Sequence, residues 1–380
     1  MTTTAPALAL SGSYSFPTRV HFGPGQLSKL ADAVAPYAKP LVVADKGLTA
    51  AGVTAKVVAA LGGKPSAVFD AVEPNPTEAN VRAGLAAYRE GGCDVIVAVG
   101  GGSPLDAAKV IRLMTTHDRP LVDYDDLTGG DAFITPTMPV MIAIPTTAGT
   151  GSEVSRSGVV TLEVNQRKTV IFSPHLMPTV AICDPELTLG LPARLTAATG
   201  MDALSHNLEA YLAKGYHPLA DAIALDGVKL IGRWLEQAVA TGSDLAARTH
   251  VMMASLMGAV AFQKGLGICH SLAHPLSSEA GVHHGTANAI LMPHVVRFNQ
   301  VAVPERVQAL ADALGKGQPL AETIDAMNRA MGLPTRLSEV GVTEAMVPKL
   351  VEKALEDGCR HGNPREASAE ELRAIYLQAM

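Results

Sequence analysis

Short apolar runs alternate with helix-like segments through the first half of the 380-residue chain, and this alternation constrains the fold most strongly. The runs are continuously apolar and rich in valine or isoleucine, as buried parallel strands are: K-P-L-V-V-A-D, P-S-A-V-F-D, C-D-V-I-V-A-V and M-P-V-M-I-A-I-P. Between them lie segments with helical periodicity, such as V-T-A-K-V-V-A-A-L and E-A-N-V-R-A-G-L-A-A-Y-R-E. This alternation predicts an α/β layer with a mostly parallel sheet.

The sequence pattern changes after about residue 190. From L-P-A-R-L-T-A-A-T-G onward most segments have helical periodicity, and T-H-V-M-M-A-S-L-M-G-A-V-A-F-Q-K is typical of a buried helix. The chain is long enough for two domains, and we predict an α/β domain over residues 1–190 and an all-helical domain over residues 191–380. Because no low-complexity linker separates them, we expect direct packing and a ligand cleft between them.

Composition and charge argue against several classes of partner. Hydrophobic residues make up 48% of the chain and charged residues 17%, which is typical of a globular protein. The formal net charge is −6 and there is no basic stripe, so we expect neither nucleic acid nor an anionic membrane surface as a partner. No uninterrupted apolar stretch is long enough to span a membrane.

Cysteine usage and the N-terminus indicate the compartment. The four cysteines are widely spaced and form no C-x-x-C pair, a pattern that fits a reducing cytosol better than a disulfide framework. The first residues, M-T-T-T-A-P-A-L-A-L, lack the charged and apolar regions of a signal peptide, so we interpret them as a frayed leader. We therefore predict a cytoplasmic protein.

Acidic and imidazole side chains recur at helical spacing in the second half. Asp202 and His206 are four residues apart, so one helix face can present both to a single ion. His270 and His274 have the same spacing, but Pro275 follows directly and disfavours helical geometry at the preceding residue. We therefore expect a helix to end at His274. Taken singly, each histidine could be a satisfied core residue and the Asp-His pair a plain ion pair.

Taken together, these residues and the downstream His-His-Gly segment predict a metal site. G-V-H-H-G-T-A-N-A contributes His283 and His284. A carboxylate and three imidazoles can hold one divalent metal and leave a coordination position open, which is typical of a catalytic site. Asp with His suits Zn²⁺ or Fe²⁺, and ligand identity alone does not choose between them.

Two turn sequences in the first half are suited to phosphate. Gly100-Gly101-Gly102-Ser103 lies between a strand-like run and a helical segment, where glycines admit close backbone approach and a helix N-terminus offers free N–H groups. P-T-T-A-G-T-G-S-E-V, residues 145–154, adds hydroxyls and bare backbone N–H groups that suit a pyrophosphate or an amide. The alternatives are a tight turn and a polar loop that caps a helix.

A further signal is Asp45, just after L-V-V-A. A carboxylate at a strand end can accept hydrogen bonds from both ribose hydroxyls of an adenosine and would repel a 2′-phosphate, which favours NAD over NADP. A turn aspartate before Lys46-Gly47 is the alternative.

From F-G-P-G to G-N-P-R, nearly the whole chain resembles the iron-containing (group III, metal-dependent) alcohol dehydrogenases. The motifs that carry the resemblance are G-G-G-S-P-L-D-A-A-K, P-T-T-A-G-T-G-S-E-V, A-A-T-G-M-D-A-L-S-H, H-S-L-A-H-P-L and H-H-G-T-A-N-A-I-L-M-P-H. The resemblance implies a Rossmann-like N-terminal domain, an all-helical C-terminal domain with the metal in the cleft, and a homodimer or higher homo-oligomer. C-D-P-E-L-T-L-G-L-P and H-H-G-T look particularly like 4-hydroxybutyrate dehydrogenases of this family.

The resemblance also implies roles for individual residues. The metal ligands would be Asp202, His206, His270 and His284. His283 stands where relatives often have proline and is not expected to be a ligand, and His274 would lie near the nicotinamide and substrate without binding the metal. The cofactor positions would be Asp45, Asn75, Gly101, Gly102, Ser103, Asp106, Thr146, Thr147, Thr150 and Lys168.

One departure from the family pattern precedes Gly-Asn-Pro. Arg360 and His361 occupy positions where many relatives carry small or polar residues, and with Cys359 they are predicted to border the substrate pocket. Two potentially cationic groups would suit a substrate carboxylate, although Arg360 could equally be a solvated surface charge.

The function that follows is a reversible, NAD-dependent oxidation of a primary alcohol to an aldehyde, with one Fe²⁺ or Zn²⁺. Its substrates would be short-chain alcohols, diols or ω-hydroxy acids such as 4-hydroxybutyrate. Two alternatives are an NAD-recycling lyase of the dehydroquinate synthase type and a non-catalytic NAD- or metal-binding module. The lyase would need several basic residues around a phosphorylated substrate, and the cleft segments offer few lysines.

Overall fold

The computed structural model describes residues 14–16, 18–164 and 167–380, so the predicted N-terminal leader lies outside the described residues. The strands of the described chain are β1 (Arg19–Phe22), β2 (Pro40–Val43), β3 (Ala67–Phe69), β4 (Val95–Gly100), β5 (Val140–Pro145), β6 (Ser157–Thr161), β7 (Lys168–Phe172) and β8 (Val180–Cys183). The helices that accompany them are α1 (Leu30–Val34), α2 (Lys46–Ala50), α3 (Val53–Ala60), α4 (Glu78–Glu90) and α5 (Gly102–Met114).

Within this described part, six of the strands form a parallel sheet in the order β1-β8-β5-β4-β2-β3. Successive residues of β4 point to opposite faces. Ile96 and Ala98 pack into the core beneath α4 and α5, whereas Val95, Val97 and Val99 pack into the core beneath α1 and α3. Because both faces are covered, the strand is apolar throughout. The predicted parallel sheet is confirmed.

The order of the strands fixes where a ligand can enter. The chain passes from β2 outward to β3, and then returns to β4 on the other side of β2. Such a switch opens a crevice between the carboxyl ends of β2 and β4, where doubly wound sheets bind ligands. The segments after these two strands begin at Ala44 and Gly101.

The second half is helical, as predicted. Its helices are α6 (Ala193–Leu212), α7 (Pro218–Ala240), α8 (Leu245–Ala261), α9 (Ile268–Glu279), α10 (His284–Gln300), α11 (Pro304–Leu314), α12 (Leu320–Ala330), α13 (Val347–Glu356) and α14 (Ala369–Gln378). Their apolar faces share one large core, in which α6 is buried on nearly all sides. The division of the chain at residue 190 stays a prediction.

Among the residues that the structure describes, one helix, over Leu245–Lys264, is long and apolar enough to cross a membrane by length and composition alone. It packs against α6 and α7, and just over half of it is buried inside the protein. Its buried Arg248 donates hydrogen bonds to Thr196 Oγ1 and to the carbonyl of Leu191. We therefore assign it as a core helix.

The prediction that a helix ends at His274 is wrong. Helix α9 continues through Pro275 to Glu279. A proline inside a helix removes one backbone hydrogen bond, here to the carbonyl of Ser271. Pro275 is buried, and α9 packs against both α10 and α13, so tertiary packing outweighs the local preference.

Four strands of the first half, β1, β6, β7 and β8, lie outside the apolar runs from which strands were predicted. β1 adds an edge strand beside β8, and β6 and β7 form an antiparallel hairpin outside the main sheet. Gly158 of this hairpin lies against the backbone of α5, where a Cβ atom would approach the Asp106 carbonyl to 3.1 Å.

Candidate metal centre and cofactor cleft

Asp202, His206 and His270 converge at the centre of the helical half. Asp202 and His206 lie on one face of α6, and His270 lies in the first turn of α9. One ligand atom of each residue falls within 4.8 Å of the others, and all three side chains are buried. Helical spacing on α6 and packing against α9 therefore produce a carboxylate and two imidazoles at one point.

The pKa shifts of Asp202, His206 and His284 favour the protonation states that bind a cation. Burial lowers the pKa of His206 to about 4, and it lowers the pKa of His284 well below its usual value. Burial alone would raise the pKa of Asp202, but the surrounding imidazoles and the Asn288 amide outweigh it and lower that pKa. For His270, burial lowers the pKa and the hydrogen bond and charge of Glu209 outweigh it, so the pKa is raised. An ionised carboxylate and neutral imidazoles are metal-binding forms.

Hydrogen bonds at Nδ1 orient both imidazoles. Nδ1 of His206 lies 3.2 Å from the carbonyl oxygen of Gly149, and Nδ1 of His270 lies 2.5 Å from Glu209 Oε2. Both partners accept, so each ring donates through Nδ1 and keeps Nε2 for the cluster. Nε2 of His270 is buried and has no hydrogen-bond partner among the described residues. An orphaned imidazole nitrogen facing a carboxylate fits a divalent metal.

His284 stands at the edge of the same cluster. It begins α10, and its Nε2 lies 3.4 Å from Asp202 Oδ1. Its ring centroid is 5.3 Å from that of His270. Asn288, one turn further along α10, donates from Nδ2 to Asp202 Oδ1 at 2.9 Å. His283 is exposed and occupies the position before the helix, and its exclusion as a ligand stays a prediction.

His274 lies one turn beyond His270 and contacts the cluster without joining it. Its ring stacks on His284 with centroids 5.3 Å apart. Nδ1 of His274 donates to Asp357 Oδ2 at 2.7 Å, and Asp357 Oδ1 accepts from Ser271 Oγ at 2.8 Å. Burial alone would raise the pKa of Asp357, but the charge of His274 and these hydrogen bonds outweigh it and lower the pKa.

Of the three predicted pocket residues, Cys359 lies beside His274. Its ligand atom falls within 4.8 Å of those of His274 and Asp357, and burial raises the pKa of its thiol well above the usual value. Arg360 and His361 line a cavity of about 240 Å³ whose lining includes Lys214. The Arg360 Nε donates to the Leu355 carbonyl at 2.8 Å.

The two glycine- and threonine-rich turns form a single surface. They follow the neighbouring strands β4 and β5, and Thr146 N donates to the Gly100 carbonyl at 2.9 Å. A Cβ atom at Gly102 would lie 2.9 Å from Thr150 Cγ2, and one at Gly101 would lie 3.2 Å from Thr147 Oγ1. Glycine is therefore needed where the N-terminus of α5 meets the threonine turn.

A buried polar network supports this surface from below. Asp106 accepts a hydrogen bond from Ser152 Oγ at 2.5 Å and one from the Val159 amide at 3.2 Å. Ser152 Oγ in turn accepts from the buried Lys109 Nζ at 2.7 Å. Lys168 lies on β7, where burial lowers its pKa and the charge of Asp106 opposes that effect.

The remaining predicted cofactor residues lie around the crevice. The Asp45 side chain caps α2 by accepting from Leu48 N at 2.9 Å, so Asp45 acts at least as a helix cap. Leu48 also lies against Gly100, where an added Cβ atom would approach Leu48 Cδ1 to 3.2 Å. Asn75 is exposed, and Ser103 Oγ donates to the neighbouring Pro74 carbonyl at 2.5 Å. Asp45 and Ser103 thus flank the strand-order switch.

Sequence reasoning missed several residues that orient the site. Glu209 shares the helical face of Asp202 and His206, which was visible in the sequence, but its bond to His270 was not. Asn288 lies four residues after His284, which is a spacing signal on one helix. Asp357 and the Gly149 carbonyl had no such signal, because they come from distant parts of the chain.

Comparison with known proteins gives consistent matches along the chain. Residues 17–185 match the family model described as iron-containing alcohol dehydrogenase, and residues 196–380 match that of the Fe-containing alcohol dehydrogenase family, C-terminal. The 4-hydroxybutyrate dehydrogenase of Cupriavidus necator is 48% identical over 353 residues, which cover 90% of this chain and 92% of that protein.

Two solved structures extend the similarity. A 1,3-propanediol oxidoreductase has a TM-score of 0.93 and 42% identity, and the match covers 97% of this chain and 99% of that one. The sulfoacetaldehyde reductase from Bifidobacterium kashiwanohense, solved in complex with NAD⁺, has a TM-score of 0.89 and 31% identity, with 97% and 98% of the two chains covered.

Proposed function

The chain belongs to the iron-containing alcohol dehydrogenase family, and we propose that it interconverts a short ω-hydroxy acid, with 4-hydroxybutyrate as first candidate, and its aldehyde. It is an oxidoreductase that acts on CH–OH groups with NAD. Family membership favours this chemistry over the lyase and the non-catalytic module that were weighed from the sequence.

The observation that carries the proposed chemistry is the convergence of Asp202, His206 and His270 with an orphaned Nε2 on His270. We propose these residues and His284 as ligands of one divalent cation, Fe²⁺ or Zn²⁺. When bound, such a cation acts as a Lewis acid that lowers the pKa of the substrate hydroxyl. The choice of 4-hydroxybutyrate is supported by the 48% identity to a dehydrogenase of that name.

The residues of the crevice are proposed to bind the cofactor that accepts the hydride. Oxidation removes a hydride from the carbinol carbon to NAD⁺ and a proton from the hydroxyl, giving the aldehyde, NADH and H⁺. We propose that Gly101, Gly102 and Ser103, with the hydroxyls of Thr146, Thr147 and Thr150, hold the cofactor at the carboxyl ends of β4 and β5. Support comes from their common surface and from the NAD⁺ complex of the sulfoacetaldehyde reductase.

His274 is proposed as the proton carrier. Its Nδ1 donates to Asp357, so Nε2 is the nitrogen that can exchange a proton. The side chain is 36% exposed. An imidazole with one nitrogen bonded to a carboxylate and one free is suited to moving a proton near neutral pH. We further propose a cytoplasmic homodimer or higher homo-oligomer.

The substrate proposal is tested by steady-state kinetics on the metal-loaded enzyme with NAD. The panel contains 4-hydroxybutyrate, 1,3-propanediol and butan-1-ol, the last being a matched control that lacks the carboxylate. We expect kcat/KM for 4-hydroxybutyrate to exceed that for butan-1-ol about tenfold or more, because a charge-assisted hydrogen bond contributes about 1.5 kcal/mol or more. An equal or higher kcat/KM for butan-1-ol would contradict recognition of a carboxylate.

A further inference from the structure

The Glu209 carboxylate makes contacts of two kinds. It accepts from His270 Nδ1 at 2.5 Å, and it also accepts from the backbone amides of Cys269 at 2.7 Å and His270 at 3.3 Å. The amides belong to the first turn of α9, whereas Glu209 lies on α6. One side chain therefore caps the helix that carries His270 and binds the ring of the same residue.

The Glu209 side chain is buried and closely packed. Glu209 is 2% exposed, and a Cβ atom at Gly267 would lie 2.7 Å from both Glu209 Oε1 and Asn363 Oδ1. Asn363 Oδ1 accepts from the amide of Ile268, the first residue of α9. A buried carboxylate is tolerated only when donors surround it, and these contacts supply them.

The contact with His270 decides which ring nitrogen carries the proton. Both oxygens of an ionised carboxylate accept and neither donates, so Nδ1 must hold a proton. Nε2 then keeps its lone pair toward Asp202, with 4.0 Å between Nε2 and Oδ1. We propose that Glu209 is a positioning residue for the metal, which holds the His270 proton on Nδ1 and the ring at its angle. This inference rests on the proposed ligand role of His270.

A buried carboxylate with a purely structural role would cap a helix without contacting an imidazole ring. Asp184 offers the comparison, since it is also a buried carboxylate and accepts from the backbone amides of Leu27 at 2.9 Å and Glu186 at 3.1 Å. It has no histidine partner among its hydrogen bonds in the described residues. Replacing Asp184 should therefore affect stability without affecting the metal.

The test compares Glu209→Gln with Asp184→Asn by titrating metal-free protein with Co²⁺ and following its visible absorbance. In Glu209→Gln an amide NH₂ in place of Oε2 faces Nδ1, which favours the tautomer with its proton on Nε2. The opposite amide orientation places NH₂ against the Cys269 amide and weakens the cap. We expect Glu209→Gln to weaken Co²⁺ binding about tenfold to a hundredfold, as is typical for partners of metal ligands, and Asp184→Asn to bind like the wild type.

Co²⁺ affinity in Glu209→Gln equal to that in Asp184→Asn would overturn the positioning role. His270→Ala separates this failure from a failure of the ligand assignment, because unchanged Co²⁺ affinity there would remove His270 from the metal set. If Glu209→Gln does not fold, proton NMR of Zn²⁺-loaded wild-type protein decides. A low-field Nδ1 proton that disappears in His270→Ala supports the proposal, and its absence from the wild type overturns it.

Discussion

At the scale of single residues, three imidazoles of the site each donate from Nδ1 to one acceptor. His206 uses a backbone carbonyl of the threonine turn, His270 uses Glu209, and His274 uses Asp357. Each acceptor lies more than 50 residues from its histidine along the chain. The chemistry of a ring is therefore set by a residue whose identity no local spacing reveals.

Replacing Asp357 with asparagine should isolate the role of His274. An amide NH₂ facing Nδ1 favours the tautomer with its proton on Nε2, so the ring loses its free acceptor. We expect kcat to fall about 10-fold to 100-fold, within the range for general acid–base catalysis, while metal content stays at the wild-type level. Stopped-flow kinetics with metal analysis measures both. A variant with wild-type kcat and an unchanged pH profile would remove His274 from proton transfer.

At the scale of secondary-structure elements, two buried ionisable groups, Lys109 of α5 and Glu153 in the turn after β5, interact electrostatically beneath the proposed cofactor surface. Burial lowers the pKa of Lys109 to about 8, and burial raises the pKa of Glu153 to about 7. Lys109 Nζ also donates to the carbonyl of Ser157 on β6 at 2.7 Å. We therefore expect the support of the proposed cofactor surface to depend on pH.

Glu153→Gln should change how stability depends on pH. The unfolded chain loses the Glu153 proton near pH 4.5 and the folded chain near pH 7, so the folded state binds more protons between these values. Stability of the wild type should therefore fall as pH rises through this window, by roughly 3 kcal/mol for this group. Denaturant unfolding of both metal-loaded proteins at several pH values measures the difference. Parallel stability curves for wild type and variant would contradict the expectation.

At the scale of the whole molecule, the metal centre connects elements that are far apart in sequence. Asp202 and His206 come from α6, His270 from α9 and His284 from the start of α10. The ring of His206 is also bonded to Gly149 of the sheet half. A cation held by these groups would therefore stabilise the helical core and fix a ring that is bonded to the turn after β5.

Removal of the metal should lower the melting temperature. A ligand present at about 100 times its Kd stabilises a protein by about 2.7 kcal/mol, which corresponds to roughly 5–10 °C for a domain of this size. Calorimetry before and after chelation, followed by Zn²⁺ addition, measures the loss and its recovery. The His270→Ala variant is the control, since its melting temperature should respond less. A metal-loaded wild type that melts at the same temperature after chelation would contradict the proposed ligand set.

The sequence by itself determined the α/β and helical halves, because hydrophobic periodicity is a local property that is visible in the sequence without knowledge of tertiary contacts. It also indicated Asp202, His206 and His270, since helical spacing places side chains on one face. Only the tertiary structure decided that α9 continues past Pro275 and that Glu209 and Asp357 orient histidines. Such contacts join segments far apart in the chain, and their energies depend on packing and burial that no single segment encodes.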